Sequence, residues 1–348
     1  MNINHVIHSG GFYGAERMLL DHCLQVPGRH RVIFLDGPGE MLRRFSEAGV
    51  TAVPCAGLKS LYTELRRHPG LLNAHNFRAQ LFSWLCARRL AMPLVWTQHG
   101  FTPRSLKQQF YTWLALRLGR SRTVTRVACV SRGVAELHLS AGVCAGKLRV
   151  IPNGLPPRAS LPRAVTTPLV GYVGRLSHEK GPDQFLDALL PVLVRRPEAQ
   201  AVLIGDGPLE DSLAARIQAA GLGRRIHLAG YQTDIAAWLA RLSVLVISSR
   251  TEGTPMVLLE AMAAGTPVAA FAVGGIPDVV ENGEHALLAP PGQSALLGDC
   301  VLRLLEDKSL ADRLARAARL RQASEYALPQ LAVRWQELYR QAQEERAC

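Results

Sequence analysis

The chain has 348 residues, of which 48% are hydrophobic and 20% are charged, so it can bury substantial cores and is not intrinsically disordered. No stretch approaches the ~20 consecutive apolar residues of a membrane-spanning helix, and the amino terminus lacks the basic-then-apolar order of a secretion signal, which predicts a cytoplasmic protein. The seven cysteines form no Cys-x-x-Cys pair, which argues against a disulfide framework and against a zinc site.

In chain order, short apolar runs alternate with longer helical patterns, which predicts parallel sheets with crossover helices. The first series of predicted strands covers residues 3–7, 31–35, 71–74, 94–97 and 127–130. The second covers residues 169–173, 201–204, 226–228, 244–247 and 268–270. The segment 152–162 is rich in proline and glycine and is interpreted as a linker. Helical patterns dominate from Ser294 onward, and the last helix is predicted at residues 328–344.

These elements predict an α/β protein with two Rossmann-like parallel-sheet domains, at residues 1–155 and 156–325. Residues 326–348 are expected to form a helix that crosses back to the first domain. Because parallel sheets bind ligands at the carboxyl ends of their strands, we expect the two domains to face a central cleft.

The net charge of +12 lies almost entirely in the first domain. Residues 1–155 carry 20 Lys and Arg against 7 Asp and Glu, whereas residues 156–348 carry 20 against 21. Within the basic region, Phe110, Trp113, Leu114 and Arg117 recur at helical spacing in segment 101–122. Basic residues beside aromatic anchors suit an anionic membrane surface. A core-packing helix with a solvated basic face is the alternative, and nucleic acid is disfavoured because no binding motif accompanies the charge.

The first strand of the chain leads into a glycine-rich loop, residues 8–16. It nearly matches a dinucleotide-binding fingerprint, with Ser9 in the place of the first glycine and Asp36 near the position of a ribose-binding acid. A dehydrogenase is therefore one alternative. In the interpretation we favour, Gly10 and Gly11 let the backbone approach a phosphate or a sugar.

Two histidines end strands of the first domain. His75 follows the third predicted strand and His99 follows the fourth, where Gly100 comes next. A histidine before a glycine at a strand end can reach a ligand, so His99 is the stronger candidate for a site. His75 is as well explained by a structural role.

In the second domain, the strand at residues 169–173 leads directly into a loop with two cations, Arg175 and Lys180. Arginine can hold a diphosphate through two donors, and lysine can add a third while neutralising charge. Alternatively, Glu179 pairs locally with either cation. Further strand-to-helix loops begin at Gly205, Gly230 and Gly274, and the second of them, which contains Tyr231, can offer backbone groups to a nucleobase.

Two glutamates, Glu252 and Glu260, stand eight residues apart across a predicted loop-to-helix junction. Thr254 is the expected N-cap and Pro255 the first helical residue, which puts Glu260 about two turns inside the helix. Backbone amides at a helix start favour an anion, and a carboxylate can accept hydrogen bonds from two sugar hydroxyls. A simpler interpretation is that Glu252 complements the helix dipole and that Glu260 is solvent-exposed. However, the rest of the helix is apolar, and a charge in a buried helix needs a partner.

Together these motifs resemble the retaining glycosyltransferases of family 4, which have the two-domain GT-B fold. The matching segments are Glu252-x7-Glu260, Gly171 to Gly181, Ile151 to Gly154 and the Gly10 to Glu16 loop, so the resemblance covers nearly the whole chain. It implies that Glu252 binds hydroxyls of the donor sugar, Glu260 the nucleotide ribose, and Arg175 with Lys180 the diphosphate. It also places His99 beside the donor sugar and the glycine loop near the phosphate.

The resemblance implies an α/β enzyme that transfers a hexosyl unit from a UDP- or GDP-sugar with retention of configuration. The first domain is expected to take the acceptor and the second the nucleotide sugar. The candidate catalytic residues are Glu252, His99, Arg175 and Lys180. The candidate donor-binding residues are Gly10, Gly11, Arg175, Lys180, Tyr231, Glu252, Gly253, Thr254, Pro255, Met256, Val257 and Glu260. The chain has no Asp-x-Asp pair, so we expect neither a metal nor a cofactor.

We expect the acceptor to be a lipid-linked or cell-surface saccharide, as in the assembly of lipopolysaccharide, capsule or exopolysaccharide, with the basic first domain in peripheral contact with the membrane. Two alternatives share the donor motifs. One is a synthase of the same fold with a soluble acceptor, and the other is a nucleotide-sugar binding protein without activity.

Overall fold

The structure, a computed structural model, describes residues 1–12, 14–37, 39–100, 106–157 and 161–347. Tyr13 of the glycine-rich loop, residues 101–105 of the aromatic segment and residues 158–160 of the linker lie outside the described residues. The chain forms two compact units. The first comprises Met1–Pro157 with Ala327–Cys348, and the second comprises Arg158–Tyr326.

The first unit is built on a seven-stranded sheet with the order β3-β2-β1-β4-β5-β6-β7, in which the recorded pairings are parallel. Its strands are β1 (Asn2–His8), β2 (Arg29–Leu35), β3 (Thr51–Cys55), β4 (Leu71–His75), β5 (Leu94–Gln98), β6 (Val124–Cys129) and β7 (Leu148–Val150). The central strands β4, β5 and β6 are buried along their whole length, as expected for a parallel sheet covered on both faces.

The second unit contains a six-stranded parallel sheet with the order β10-β9-β8-β11-β12-β13. Its strands are β8 (Leu169–Val173), β9 (Gln200–Ile204), β10 (Ile226–Leu228), β11 (Val244–Ile247), β12 (Val268–Phe271) and β13 (Leu287–Ala289). In each unit the chain builds the sheet outward from its first strand on one side and then continues on the other side, which is the order of a Rossmann-like domain.

Helices connect the strands of both units. They are α1 (Gly14–Gln25), α2 (Gly39–Glu47), α3 (Leu58–Arg67), α4 (Phe77–Leu90), α5 (Leu106–Gly119), α6 (Arg132–Ser140), α7 (Pro182–Arg195), α8 (Glu210–Ala219), α9 (Ile235–Arg241), α10 (Met256–Ala264), α11 (Ile276–Val279), α12 (Ser294–Glu306), α13 (Lys308–Glu325) and α14 (Leu328–Ala347). Short 3-10 helices lie at Ala145–Lys147 and His178–Lys180. Among the described helices, none combines the length and apolar content needed to cross a bilayer.

The ten strands predicted from the sequence are all present, and the two parallel-sheet domains are confirmed. Three further strands, β3, β7 and β13, were missed, and each lies at an edge of its sheet. Edge strands are short and half-solvated, so they lack the continuous apolar run of a central strand. Strand β3 also contains Pro54, which a central strand would exclude because it cannot donate a ladder hydrogen bond.

Helix α14 belongs to the first unit through a buried face. Leu331, Trp335, Leu338 and Tyr339 pack in one cluster with residues of the first sheet, among them Ile3. The fully buried Tyr339 hydroxyl accepts a hydrogen bond from Asn73 at 2.9 Å and is hydrogen-bonded to His22 Nε2 at 3.0 Å. Since buried polar groups need partners, this small network helps to hold the helix against the sheet, in addition to the apolar packing.

Candidate functional site

The sheet of the second unit changes direction of growth between β8 and β11. Strand β8 pairs with β9 on one side and with β11 on the other, so the loops that leave β8 and β11 diverge at this point. In open parallel sheets, ligands bind in the crevice at such a switch point. The first loop carries Arg175 and Lys180 and the second carries Glu252, so the topology brings the predicted cations and carboxylate to one edge.

Lys180 and Glu252 are in direct contact. The lysine Nζ lies 2.7 Å from Glu252 Oε1, and the Ser249 hydroxyl donates to the same oxygen at 2.7 Å. The Glu252 side chain is only 6% exposed, whereas that of Lys180 is 34% exposed. The contact therefore consists of a nearly buried carboxylate with a more accessible cation, and both groups are placed to meet a polar ligand.

Other contacts join the same two loops and hold this pair in position. Arg250 forms a bidentate ion pair with Asp183, at 2.9 and 2.6 Å, and also donates to the His178 carbonyl at 2.7 Å. Hydrogen bonding from Arg250 lowers the pKa of the Asp183 carboxyl. The Ser248 hydroxyl donates to the Gly181 carbonyl at 2.8 Å. No local sequence pattern indicates these supports, since each joins residues more than 60 positions apart.

The loop after β12 supports the backbone of Glu252. The Gly275 amide donates to the Glu252 carbonyl at 3.2 Å. Gly274 has a φ of +54°, and a Cβ atom added there would lie 1.8 Å from the same carbonyl oxygen. Both the left-handed backbone and the close approach require glycine at this position. The loop that begins at Gly274 therefore packs against the backbone of Glu252 and supports it.

Arg175 is an exposed residue whose backbone is fixed by Tyr172. The Tyr172 hydroxyl donates to the Arg175 carbonyl at 2.9 Å. Burial raises the pKa of Tyr172 well above its ordinary value, and the nearby carboxylates, Glu252 first among them, raise it further. The phenol therefore stays protonated and remains a donor. Tyr172 is a further support that was not predicted from the sequence, although it lies within the matched motif.

The start of α10 differs from its prediction by one residue. Pro255 is the N-cap, with φ −68° and ψ 125°, and the helix begins at Met256, so Thr254 is not the N-cap and Pro255 is not the first helical residue. The extended ψ of Pro255 makes its carbonyl the first acceptor, for the amides of Leu258 and Leu259 at 3.2 and 3.4 Å.

This shift changes where the helix start presents its donors. Within the described part of the chain, the amides of Met256 and Val257 have no acceptor, as is usual in the first turn of a helix. They follow Gly253 and Thr254 in the loop that carries Glu252. Glu260 is half-buried and lies about one turn inside the helix, not two.

Tyr231 lies on the other side of β8 from Glu252. It is exposed in the loop between β10 and α9. The preceding Gly230 accepts a hydrogen bond through its carbonyl from the Gly205 amide at 2.8 Å, which ties the loops after β9 and β10 together. Asp234 caps α9 by accepting from the Ala237 amide at 3.1 Å. The structure therefore presents Tyr231 on a fixed loop at the same edge of the sheet.

The first unit has its own switch point, between β1 and β4. The loop after β1 contains Gly10 and Gly11, and the Ser9 hydroxyl closes a turn by donating to the Gly11 carbonyl at 2.9 Å. A Cβ atom added at Gly10 would meet nothing within 4 Å, so the surroundings of this glycine are open. Asp36, the candidate ribose acid of the dehydrogenase alternative, is paired with Arg78 at 2.6 Å.

His75 and His99 follow neighbouring strands of this sheet and contact each other. His75 is buried at the end of β4, and its Nδ1 lies 3.3 Å from Nε2 of the half-buried His99. Burial lowers the pKa of His99 to about 4 and holds that of His75 well below its ordinary value. Both imidazoles are therefore neutral at neutral pH and can serve only as neutral hydrogen-bonding groups.

Helix α5 exposes the aromatic residues noted in the sequence. Phe110 is 55% exposed and Trp113 is 53% exposed, and their rings stack with centroids 5.7 Å apart. The guanidinium of Arg117 lies over the Trp113 ring at 5.6 Å, and Leu106 at the start of the helix is also exposed. The helix packs on the core through Ala115 and Leu118, as the core-packing alternative predicts, but Phe110 and Trp113 are not part of that packing.

Two family models match the chain. The model described as glycosyl transferases group 1 matches residues 157–321, and the one described as glycosyltransferase family 4 matches residues 14–158. The alpha-D-kanosaminyltransferase of Streptomyces kanamyceticus is 33% identical over 163 residues, which are 46% of this chain and 42% of that protein. A glycogen synthase of Mycobacterium tuberculosis is 29% identical over 300 residues, which are 81% of this chain and 71% of that protein.

Among solved structures, the Anabaena protein HepE in complex with UDP-glucose superposes with a TM-score of 0.87 at 24% identity, covering 97% of this chain and 98% of that one. This likeness shows the GT-B fold of two Rossmann-like domains. The two family models together span residues 14–321 and decide against the dehydrogenase alternative. The chain belongs to the family 4, or group 1, glycosyltransferases.

Proposed function

We propose that the protein is a retaining, metal-independent hexosyltransferase that uses a UDP- or GDP-sugar as donor. The observation that carries the proposal is the contact of Lys180 and Ser249 with Glu252 at the β8–β11 switch point. A cation, a carboxylate and a helix start at one sheet edge provide complementary groups for the two halves of a nucleotide sugar, the anionic diphosphate and the hydroxyl-bearing ring.

In this proposal the second unit stabilises the departing nucleoside diphosphate. When the glycosidic bond to phosphate breaks, negative charge grows on the diphosphate and positive charge on the sugar ring. Arg175, Lys180 and the amides of Met256 and Val257 bind the former, with Gly253, Thr254 and Pro255 shaping the loop that places them. Glu252 binds hydroxyls of the sugar. Since carboxylates also accept hydrogen bonds from ribose hydroxyls, Glu260 is assigned to the ribose, and Tyr231 to the base.

The proposal assigns no chemical step to a metal or a protein base. The side chains described above supply the positive charge that a bound metal would otherwise provide. Family resemblance supports attack by the acceptor on the face that the phosphate leaves, with the phosphate taking the acceptor proton. His99, Gly10 and Gly11 of the first unit are proposed to contact the donor as well, by the same resemblance.

The donor proposal predicts that a nucleotide sugar raises the melting temperature of the protein, because a ligand that binds only the folded state stabilises it. We expect UDP- or GDP-hexoses to produce the shift in a panel that includes NADH and ADP-glucose, with 5 mM EDTA making no difference. HepE, crystallised with UDP-glucose, makes that sugar a sensible first member. In Glu260→Ala the shift should shrink while the melting temperature of the free protein changes little.

A panel in which no nucleotide sugar stabilises the protein would overturn the donor proposal. Release of UDP or GDP in the presence of acceptor then separates the enzyme from a binding protein without activity. The curated relatives do not decide the acceptor, because one is named for an aminosugar transfer and the other for glycogen synthesis.

We propose further that the acceptor is a lipid-linked or cell-surface saccharide and that α5 rests on the membrane. The support is the exposed stripe of Leu106, Phe110 and Trp113 beside Arg117, in the unit that carries the basic excess. Aromatic side chains enter the interface between headgroups and acyl chains, and basic side chains pair with anionic headgroups. A soluble-acceptor synthase has no need of such a face.

Flotation with vesicles tests this membrane proposal. We expect the protein to float with vesicles of phosphatidylglycerol and phosphatidylcholine but not with phosphatidylcholine alone, and to be released by high salt. The variant Phe110→Ser/Trp113→Ser should lose most of this binding. The matched control Leu320→Ser/Val333→Ser removes two apolar side chains elsewhere that are at least as exposed, and it should retain the binding. If the two variants bind equally well, α5 is not the contact.

A further inference from the structure

Four imidazole rings form a continuous row across the first sheet. His30 Nδ1 lies 2.9 Å from His5 Nε2, His5 Nδ1 lies 3.2 Å from His75 Nε2, and His75 Nδ1 lies 3.3 Å from His99 Nε2. Consecutive rings along the row are stacked, with centroids 5.2 to 5.5 Å apart. We call these four residues the histidine row.

The strand register produces this row. His5 on β1 pairs with Val32 on β2 and with Asn73 on β4, while His30 and His75 stand two residues away on those strands. His75 in turn pairs with Thr97 on β5, two residues before His99. Residues two apart on a strand share one face of the sheet. Each step therefore moves one strand sideways and two residues toward the carboxyl edge, from His30 near the start of β2 to His99 just after β5.

The row has a defined direction because one end is fixed by a carbonyl. His30 Nε2 lies 2.8 Å from the Val26 carbonyl oxygen, which can only accept, so this nitrogen carries the proton. In a neutral ring the other nitrogen must then accept, and it receives the proton of His5 Nε2. The same logic passes along the row, so every ring donates through Nε2 and accepts through Nδ1.

The four rings are neutral at neutral pH. Burial is the main cause that lowers the pKa of each, and neighbouring imidazoles lower those of His5 and His75 further. Cys23 lies close to His5 and His30, but burial raises the pKa of its thiol far above the ordinary value, so it carries no charge to draw a proton into the row. The last ring therefore has an unprotonated Nδ1, which has no hydrogen-bond partner among the described residues.

We propose that His75, His5 and His30 are positioning residues that hold His99 in its Nε2–H tautomer, so that its Nδ1 accepts a hydrogen bond from a hydroxyl of the sugar substrate. The contact with a sugar hydroxyl rests on the proposed function. The tautomer itself depends only on the chain. Without His75, nothing in the row would distinguish the two nitrogens of His99, and the Nδ1–H form would present a donor where an acceptor is required.

Nitrogen-15 NMR of the full-length protein with labelled histidine tests the tautomer without any substrate. At pH 7.5 we expect the His99 ring, assigned by its loss in His99→Gln, to show a single Nε2–H tautomer. In His75→Phe, which keeps a flat ring but accepts no hydrogen bond, both tautomers should appear. In His75→Gln the amide oxygen can replace the acceptor, and the single tautomer should return. A purely structural role for His75 would lower the melting temperature of His75→Phe and leave the His99 tautomer unchanged, which would overturn the proposal.

Binding measurements test the hydroxyl contact. His75→Phe should weaken UDP-glucose or GDP-mannose, whichever the protein binds, in proportion to the fraction of His99 that leaves the Nε2–H tautomer, which is about twofold when the two tautomers are equally populated. Binding of UDP or GDP, which lack the sugar, should not change. Equal loss for the sugar and the free nucleotide would contradict the hydroxyl contact but not the tautomer. Failure of both nucleotide sugars to bind would contradict the proposed function and leave the NMR result to decide the row.

Metal analysis provides one more outcome. His5, Cys23 and His30 each offer a ligand atom within 4.8 Å of the others, and a bound ion would replace the His5–His30 hydrogen bond that sets the direction of the row. We expect the purified protein to contain no stoichiometric zinc. One tightly held zinc per chain, lost in Cys23→Ser, would overturn the proposal.

Discussion

Replacing Lys180 by alanine will lower the rate of sugar transfer by about 100-fold or more and leave the protein folded. The lysine is a partly exposed cation at the end of a short 3-10 helix, so its removal opens no cavity in a core. It does remove the positive charge that lies 2.7 Å from Glu252 Oε1. In our proposal, the departing diphosphate requires the same charge. The nearly buried carboxylate would then retain Ser249 as its hydrogen-bond donor.

Steady-state kinetics and thermal denaturation of matched variants measure this effect. Lys308→Ala removes a lysine at the start of α13 in the same unit and should keep full activity. Glu252→Gln keeps the size of the side chain, loses its charge and should be as impaired as Lys180→Ala. If the two residues act as one unit, the double variant will be little worse than either single variant, since effects of cooperating residues do not add. Full activity of Lys180→Ala would remove the proposed leaving-group site.

The sequence predicted the residues of this site because each motif is contiguous. Arg175 and Lys180 follow an apolar run that can only be a buried strand, and Glu252 precedes an apolar helix. The supports of the site were missed because they depend on which loops meet. The Arg250–Asp183 ion pair and the packing of Gly274 under Glu252 join segments that are distant in the chain, and no local pattern distinguishes them from surface charge and an ordinary turn.

The fold could also be predicted because its central strands have a clear local pattern. The errors of the prediction lie at elements whose local pattern is weak. Central strands are buried on both faces and read as apolar runs, whereas the edge strands β3, β7 and β13 do not. The start of α10 was misplaced because Pro255 suits both the N-cap and the first helical position by its fixed φ, and only its ψ of 125° distinguishes them.

The histidine row shows the limit of such reasoning. His75 and His99 attracted attention as strand ends, but His5 and His30 have no local signal that separates them from ordinary strand residues. Their contacts follow from the register of four parallel strands. A shift of one residue in any strand would turn its histidine to the opposite face. Register is a property of the assembled sheet, so the row is visible only in the structure.

Three histidines of the row, together with the neighbouring His22, predict that the first unit loses much of its stability in mild acid. Burial holds the pKa values of His5, His22 and His75 well below the ordinary value, and that of His99 at about 4. In the unfolded chain these rings titrate near pH 6.5. Their neutral forms therefore contribute full stability above about pH 6.5, and this contribution is lost as the pH falls, because the unfolded state binds the protons.

At pH 5, a ring whose folded pKa lies below that pH, as that of His99 does, contributes a loss of about 2 kcal/mol against a typical domain stability of about 5–15 kcal/mol. The lowered pKa values of the other three rings act in the same direction. Urea denaturation at pH 7.5 and pH 5.0, followed by tryptophan fluorescence, measures the difference. In His75→Asn the difference in unfolding free energy between the two pH values should be smaller by the contribution of one histidine. Ser83 is fully buried in the same unit and does not titrate. The control Ser83→Ala should therefore change the unfolding free energy by the same amount at both pH values. If the free energy of unfolding were the same at the two pH values, these histidines would have the same pKa in the folded protein as in the unfolded chain. That result is incompatible with a neutral row.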